Sequence, residues 1–398
     1  MPNAKKVVIL KIDDYDVAVL KAKIKAAIDK YFPLANYFQA GDKVLLKPNL
    51  LMPAKPDDAV TTHPAIAEAV GSIFKDAGFP VVIADSPGGF IDSQDMAYIY
   101  NECGYGEPAK RYGFELLNPE RSVLREGIPL CWWADGSFKI INLPKLKTHE
   151  LTILTLAVKN LYGCISGLHK SQLHINYPQP KNFVEILLKL NGMVKPSLNI
   201  IDGILAMEGA GPSKKGTPRK LNVIILSDNA LYADFAVGRL LNIKDDAHPL
   251  IKAAKERGML DEKELEIISD AGNFPLARDF VLPSPSILNN IPGGAVNILK
   301  AILKFYPRIN FEKCVSCGAC GTVCPKKAIT TIKGKAVIDY KECISCLCCA
   351  EMCRFAAIDL KKSFLVRIIL LLQMFSKSIV TGLAGLWRRK DARDKIQK

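Results

Sequence analysis

Eight cysteines in the last quarter of the chain fall into two copies of one spacing, Cys314-x-x-Cys317-x-x-Cys320-x-x-x-Cys324 and Cys343-x-x-Cys346-x-x-Cys349-x-x-x-Cys353. This spacing restricts the fold more than any other feature. Three thiolates set two residues apart can wrap one face of an iron–sulfide cube, and a fourth must come from further along the chain. The two segments form an internal repeat in which Phe311-Glu312-Lys313 answers Tyr340-Lys341-Glu342. Zinc sites more often show two Cys-x-x-Cys hooks across a longer gap, and disulfides need no such triplets. The chemistry read from the spacing is therefore iron–sulfur. Cys348 is an extra thiol inside the second copy and is expected to pack beside a cluster, because Cys349 already completes the pattern.

With Pro325 following the first copy, the segment resembles a bacterial two-cluster ferredoxin of about 55 residues. That resemblance implies two [4Fe-4S] clusters, one held by Cys314, Cys317, Cys320 and Cys353, the other by Cys343, Cys346, Cys349 and Cys324. Arg354 departs from the pattern, where a proline usually shapes the turn.

The formal charge of +14 suggests nucleic acid until it is located. Residues 361–398 carry ten Lys or Arg against Asp391 and Asp394, so the remaining 360 residues hold only +6. With no aromatic–basic platform, nucleic-acid binding is not expected. The tail, 362–398, reads as a basic amphipathic helix: Arg367, Lys377 and Arg388 share about a quarter of a helical wheel, and Trp387 stands near its end. Two charges near mid-span argue against crossing a membrane. Lying on an anionic membrane surface and docking on protein are equally compatible with the pattern. No apolar leader precedes Val7-Val8-Ile9-Leu10, so secretion is not expected. Cysteines 103, 131 and 164 are read as small core residues in a reducing compartment. The expected location is cytoplasmic, with peripheral contact at the inner membrane surface.

Residues 1–282 alternate β-rich runs with helical periods, which predicts an α/β domain on a mainly parallel sheet. Strands are expected at 6–12, 43–47, 80–84, 138–143, 197–201 and 221–226, and helices at 16–31, 64–77, 93–101, 181–191 and 230–241. A linker at 283–306, rich in Pro, Asn and Gly at its start, leads to the α+β ferredoxin-like domain at 307–361. Polar residues gather after the predicted strands: Lys47-Pro48-Asn49, Asp85-Ser86, Lys145-Leu146-Lys147-Thr148-His149, Asp202-Gly203 and Ser227-Asp228. Ligands bind outside the carboxyl ends of strands in open α/β sheets, so these five loops are expected to converge on one pocket.

Leu-Lys-Pro-Asn at 46–49, Lys-Leu-Lys-Thr-His at 145–149, Val-Lys-Asn-Leu-Tyr-Gly at 158–163 and Ile-Asp-Gly-Ile at 201–204 resemble family 362 of the domains of unknown function. The match extends through Met207 to Pro212, Gly216-Thr217-Pro218 and Ser227 to Asp234. The resemblance supports the fold and the fusion to a ferredoxin, and brings no established reaction. Asn229-Ala230-Leu231 departs from the family's usual Pro-Val-Ala.

Within the expected pocket, Lys147 and His149 are the candidate catalytic residues. The imidazole of His149 ordinarily titrates near neutrality and can supply a proton during reduction. Lys47, Asn49, Asp85, Lys145, Lys159, Asp202 and Glu208 are the candidate substrate ligands; of Lys145 and Lys147, which alternate, only one need face the pocket. His169 and His174 lie five apart, an unhelpful spacing for metal on a helix. Gly211 to Gly216 lacks the phosphate lysine of a P-loop, and no early Gly-x-Gly-x-x-Gly appears. The expected function is iron–sulfur electron transfer, as an oxidoreductase acting on a small anionic substrate. The competing reading is a non-catalytic redox subunit docked to a partner protein or membrane.

Overall fold

A computed structural model describes residues 4–88, 92–150, 152–176, 180–270, 277–283 and 306–361. The predicted tail helix and most of the predicted linker lie outside this set. In chain order the first region comprises β1 (Lys5–Lys11), α1 (Val17–Tyr31), β2 (Val44–Pro48), α2 (Pro64–Asp76), β3 (Val81–Ile83), α3 (Ser93–Glu102), α4 (Gly106–Tyr112) and β4 (Glu115–Leu116). A hairpin, β5 (Ser122–Arg125) and β6 (Ile128–Cys131), leads into β7 (Lys139–Leu143), β8 (Lys145–His149), β9 (Ile153–Thr155), α5 (Ala157–Asn160), α6 (Gly167–Asn176) and α7 (Pro180–Val194). The long strands β10 (Leu198–Gly209) and β11 (Gly216–Ser227), then α8 (Ala230–Leu240), α9 (Pro249–Glu256) and β12 (Leu265–Ser269), complete it.

Ten of these strands form one sheet in the order β12-β1-β11-β10-β7-β2-β3-β4, with β8 against β10 and β9 against β8. Most neighbours run parallel; β11 runs antiparallel to both β1 and β10. Strand side chains alternate between faces, so Val8 and Leu10 enter one core with Leu20, Ile24 and Ile66, while Val7 and Ile9 enter the other with Leu187, Phe235 and Ile251. Helices thus cover both faces, which is why Val44-Leu45-Leu46 is apolar without a break. The helix starts are capped locally: Asp16 accepts from Val19 N, and Asn229 accepts from Leu231 N and Tyr232 N. Cys103, Cys131 and Cys164 are buried in these cores.

The second region pairs β13 (Tyr306–Ile309) with β16 (Ile358–Lys361) and β14 (Ile329–Ile332) with β15 (Lys335–Ile338), around two short helices, α10 (Ala319–Thr322) and α11 (Cys348–Glu351). The sequence repeat reappears in the backbone. Left-handed residues at Ser316, Gly318 and Lys327 have counterparts at Ser345, Leu347 and Ala356. Among the described residues, no helix is long and apolar enough to cross a membrane.

Candidate functional site

The carboxyl end of β2 places Lys47 in the interior, where its ammonium donates to Asp85 Oδ1 at 2.7 Å and to Pro48 O at 3.0 Å. Asp85, just beyond β3, also accepts from Leu50 N at 2.6 Å. A buried charge persists only when paired and hydrogen-bonded, and both groups are. Gly163 lies against this pair so closely that any Cβ would collide with Asp85 Oδ1 and the Lys47 ammonium.

Beside the pair runs a ladder of amides. Asn49 Nδ2 donates to Asn160 Oδ1 at 2.9 Å, Asn160 Nδ2 to Asn142 Oδ1 at 2.8 Å, and Asn142 Nδ2 to Asn199 Oδ1 at 2.8 Å. It ties β2, α5, β7 and β10 together at one end of the sheet. Lys147 completes it, donating to Asn49 Oδ1 at 2.7 Å and Val60 O at 2.6 Å. Burial, and then the neighbouring Lys159, push the Lys147 ammonium down to about 7.

Short α5 is held at its start by Asp234 of α8, which accepts from Ala157 N at 2.7 Å and Val158 N at 3.1 Å. This anchor sets Lys159 over the rings of Tyr162, 4.7 Å away, and Phe183, 5.5 Å away. Lys170 of α6 donates to Ser86 O and Pro87 O, and burial lowers it to about 8.

Asn49, Asp85, Lys147, His149 and Lys159 line one pocket with Lys170, enclosing about 740 Å³ including its open mouth. Its opposite wall is Val323, Cys348, Glu351 and Met352 of the cysteine-rich region. His149 Nδ1 accepts from Thr152 N, and Nε2 lies 3.2 Å from Glu351 Oε1 across the junction. Burial holds the imidazole below its ordinary range although Glu351 pulls the other way.

Four expected substrate ligands are absent from the pocket lining: Lys47, which is paired with Asp85, and three that lie elsewhere. Lys145 is separated from Lys147 by a register irregularity in the pairing of β8 with β10, and it pairs with Asp202 at 2.8 Å in a separate buried network with Tyr15. Tyr15 stacks on His63 with ring centroids 3.6 Å apart. Asp202 does not sit on a loop, because β10 continues through it to Gly209 against β11. Glu208 accepts from Val281 N at 3.1 Å and approaches Arg219. Residues that the sequence did not single out for the pocket are Lys170, Tyr162 and Glu351; the first and last belong to no strand-end cluster.

The cysteines surround two further cavities. One, of about 370 Å³, is lined by Cys314, Cys317, Cys320 and Cys353, and the other, of about 330 Å³, by Cys324, Cys343, Cys346 and Cys349. Backbone amides point at one thiol in each set: Ala357 N lies 3.2 Å from Cys353 Sγ, and Ala328 N lies 3.2 Å from Cys324 Sγ. Four convergent thiols with N–H donors at the sulfur suit a [4Fe-4S] cluster, whose potential such bonds tune. Cys348 belongs to neither lining and faces the pocket instead.

Residues 44–239 match the family model described as a domain of unknown function, DUF362, and residues 307–330 match that of a 4Fe-4S binding domain. A thylakoid-associated protein of Synechocystis is 30% identical over 317 residues, covering 76% of this chain and 95% of the relative. A crystal structure of a Thermotoga maritima protein is 14% identical, with a TM-score of 0.36 over 58% of this chain and 60% of that one. On its sequence matches, the chain is a member of the DUF362 family joined to a 4Fe-4S binding domain that supports electron transfer.

Proposed function

We propose that the chain is an iron–sulfur oxidoreductase. Cys314, Cys317, Cys320 and Cys353 hold one [4Fe-4S] cluster, Cys343, Cys346, Cys349 and Cys324 hold a second, and the pocket at the junction binds a small anionic substrate. The observation that carries this reading is the shared pocket: lysines of the α/β region form one wall, and Cys348 and Glu351, which flank cluster ligands, form the other. When bound, [4Fe-4S] clusters accept and release single electrons. The chain's own residues supply the rest. Lys147, titrating near 7, holds a proton it can give to substrate and regain from solvent at neutral pH. His149, kept neutral by burial, positions Glu351 and closes the wall between the two regions.

The test is anaerobic purification with iron and sulfide analysis and paramagnetic resonance. Two clusters per chain are expected, one in Cys324→Ser and two in Cys348→Ser; a single cluster in the unmodified protein would overturn the assignment. Mass spectrometry of material retained in the pocket would identify an anion. Lys147→Gln is expected to lower turnover of that compound at least 100-fold, the usual scale for removing a general acid; unchanged turnover would remove Lys147 from the chemistry.

The second reading, a redox subunit without substrate chemistry, draws on Val315 and Phe355, which line the first cysteine cavity yet are 58% and 45% exposed. Such a face suits a redox partner protein. The thylakoid association of the relative, together with the basic amphipathic pattern of 362–398, favours peripheral membrane contact through that tail. Deleting that segment should move the protein from the membrane fraction to the supernatant; an unchanged distribution would exclude the tail as the anchor.

A further inference from the structure

Three ammonium groups reach the pocket from three elements, Lys147 from β8, Lys159 from α5 and Lys170 from α6. Among the described residues, none forms an ion pair with a carboxylate. Lys147 donates to an amide and a carbonyl oxygen, and Lys170 to two carbonyl oxygens. Lys159 makes no hydrogen bond through its ammonium among the described residues and rests on two aromatic rings.

The acids lining the same space are engaged. Asp85 is neutralised by Lys47, and Glu351 faces His149. Counting Glu351 against one lysine leaves two lysines that, when protonated, no carboxylate of the pocket lining balances. The residues outside the described set contain only Asp391 and Asp394 as acids, both in the tail. Buried cations without anions are costly, and a ligand bringing the missing charge recovers that cost on binding. Arrival of an anion would also reverse the burial effect that lowers all three lysines.

We propose that this pocket selects a compact dianion, a dicarboxylate or a phosphate monoester, over any monoanion, with Lys159 and Lys170 as the recognition residues beside Lys147. Apolar Pro87 and Met352 line the same pocket, which suits a ligand with a short hydrocarbon body. The inference rests on the preceding reading of the pocket as a substrate site and names the substrate class.

Thermal unfolding of the full-length, anaerobically purified protein tests it, with inorganic phosphate, succinate or acetate added at matched ionic strength. A ligand that binds only the folded state raises the midpoint according to its concentration over its dissociation constant. Phosphate or succinate should raise the midpoint saturably and acetate should not; which of the two acts tells phosphate from dicarboxylate recognition. Lys159→Gln should weaken the dianion about 10- to 100-fold, the usual worth of one charged hydrogen bond, and Lys159→Arg should restore most of it. The unliganded midpoint of each variant reports folding independently. Equal effects of acetate and the dianions, no effect of either dianion, or full affinity in folded Lys159→Gln would each overturn the inference. Iron and sulfide content reads the redox half separately. Dianion selectivity in protein with one cluster or none supports this inference while overturning the two-cluster reading, and two clusters without dianion selectivity overturn this inference alone.

Discussion

Lys147 shows how a residue's chemistry follows from its surroundings. Burial lowers its pKa first, Lys159 from α5 and Lys145 from the same strand add to the effect, and Glu351 and Asp85 oppose it. Its folded value of about 7 lies below the unfolded value of about 10.4. Between those limits the unfolded chain binds the extra proton, so stability rises with pH from about 7 to about 10, by at most about 1.4 kcal/mol per unit from this group. Urea midpoints across that range should rise for the unmodified protein and less for Lys147→Met; parallel profiles would contradict the assignment. Lys47 and Asp85 act as a buried pair. Lys47→Met should cost about 3–5 kcal/mol, because it strands a buried carboxylate, and denaturant unfolding would measure it. Both were visible as polar residues at strand ends. Lys170 was not, because a lysine on a helix resembles a solvated one until the fold buries it.

At the level of elements, the sequence predicted five helices and four of six strands to within about three residues, because each carries a clear apolar period, while β11 runs from Gly216, five residues before its expected start at 221. The sequence failed at Asp202-Gly203, which looks like a turn. The apolar run Ile204-Leu205-Ala206-Met207 continues the strand, and the register shift between Gly203 and Leu205 absorbs the irregularity. Gly203 is needed there, since a Cβ would sit 3.0 Å from Val223 O. Consequently Asp202 lies beside Lys145 in the sheet and outside the pocket. The short helix α5 depends on a contact distant in sequence. Asp234→Ala would leave two buried N–H groups unpaired, at about 1–3 kcal/mol each. Thermal unfolding should show that loss, and hydrogen exchange should localise it to 157–160.

At the scale of the molecule, the cysteine spacing and strand-end motifs announced the two parts, while their juxtaposition was not readable. It rests on pairs far apart in sequence: His149 with Glu351, Lys215 with Asp359, and Arg354 over the ring of Tyr98. Two residues of the pocket wall, Val323 and Cys348, adjoin members of the second cysteine set, Cys324 and Cys349, against one, Met352, that adjoins Cys353 of the first, so on the proposed two-cluster reading a bound dianion should perturb the paramagnetic spectrum of the second cluster more. Equal perturbation of both would place the ligand elsewhere.

The wall formed by Cys348 and Glu351 has a further consequence. The cysteine-rich region also forms part of the pocket wall, so under the proposed function a displacement that exposed the lysines to bulk water would at the same moment draw the electron source away from them.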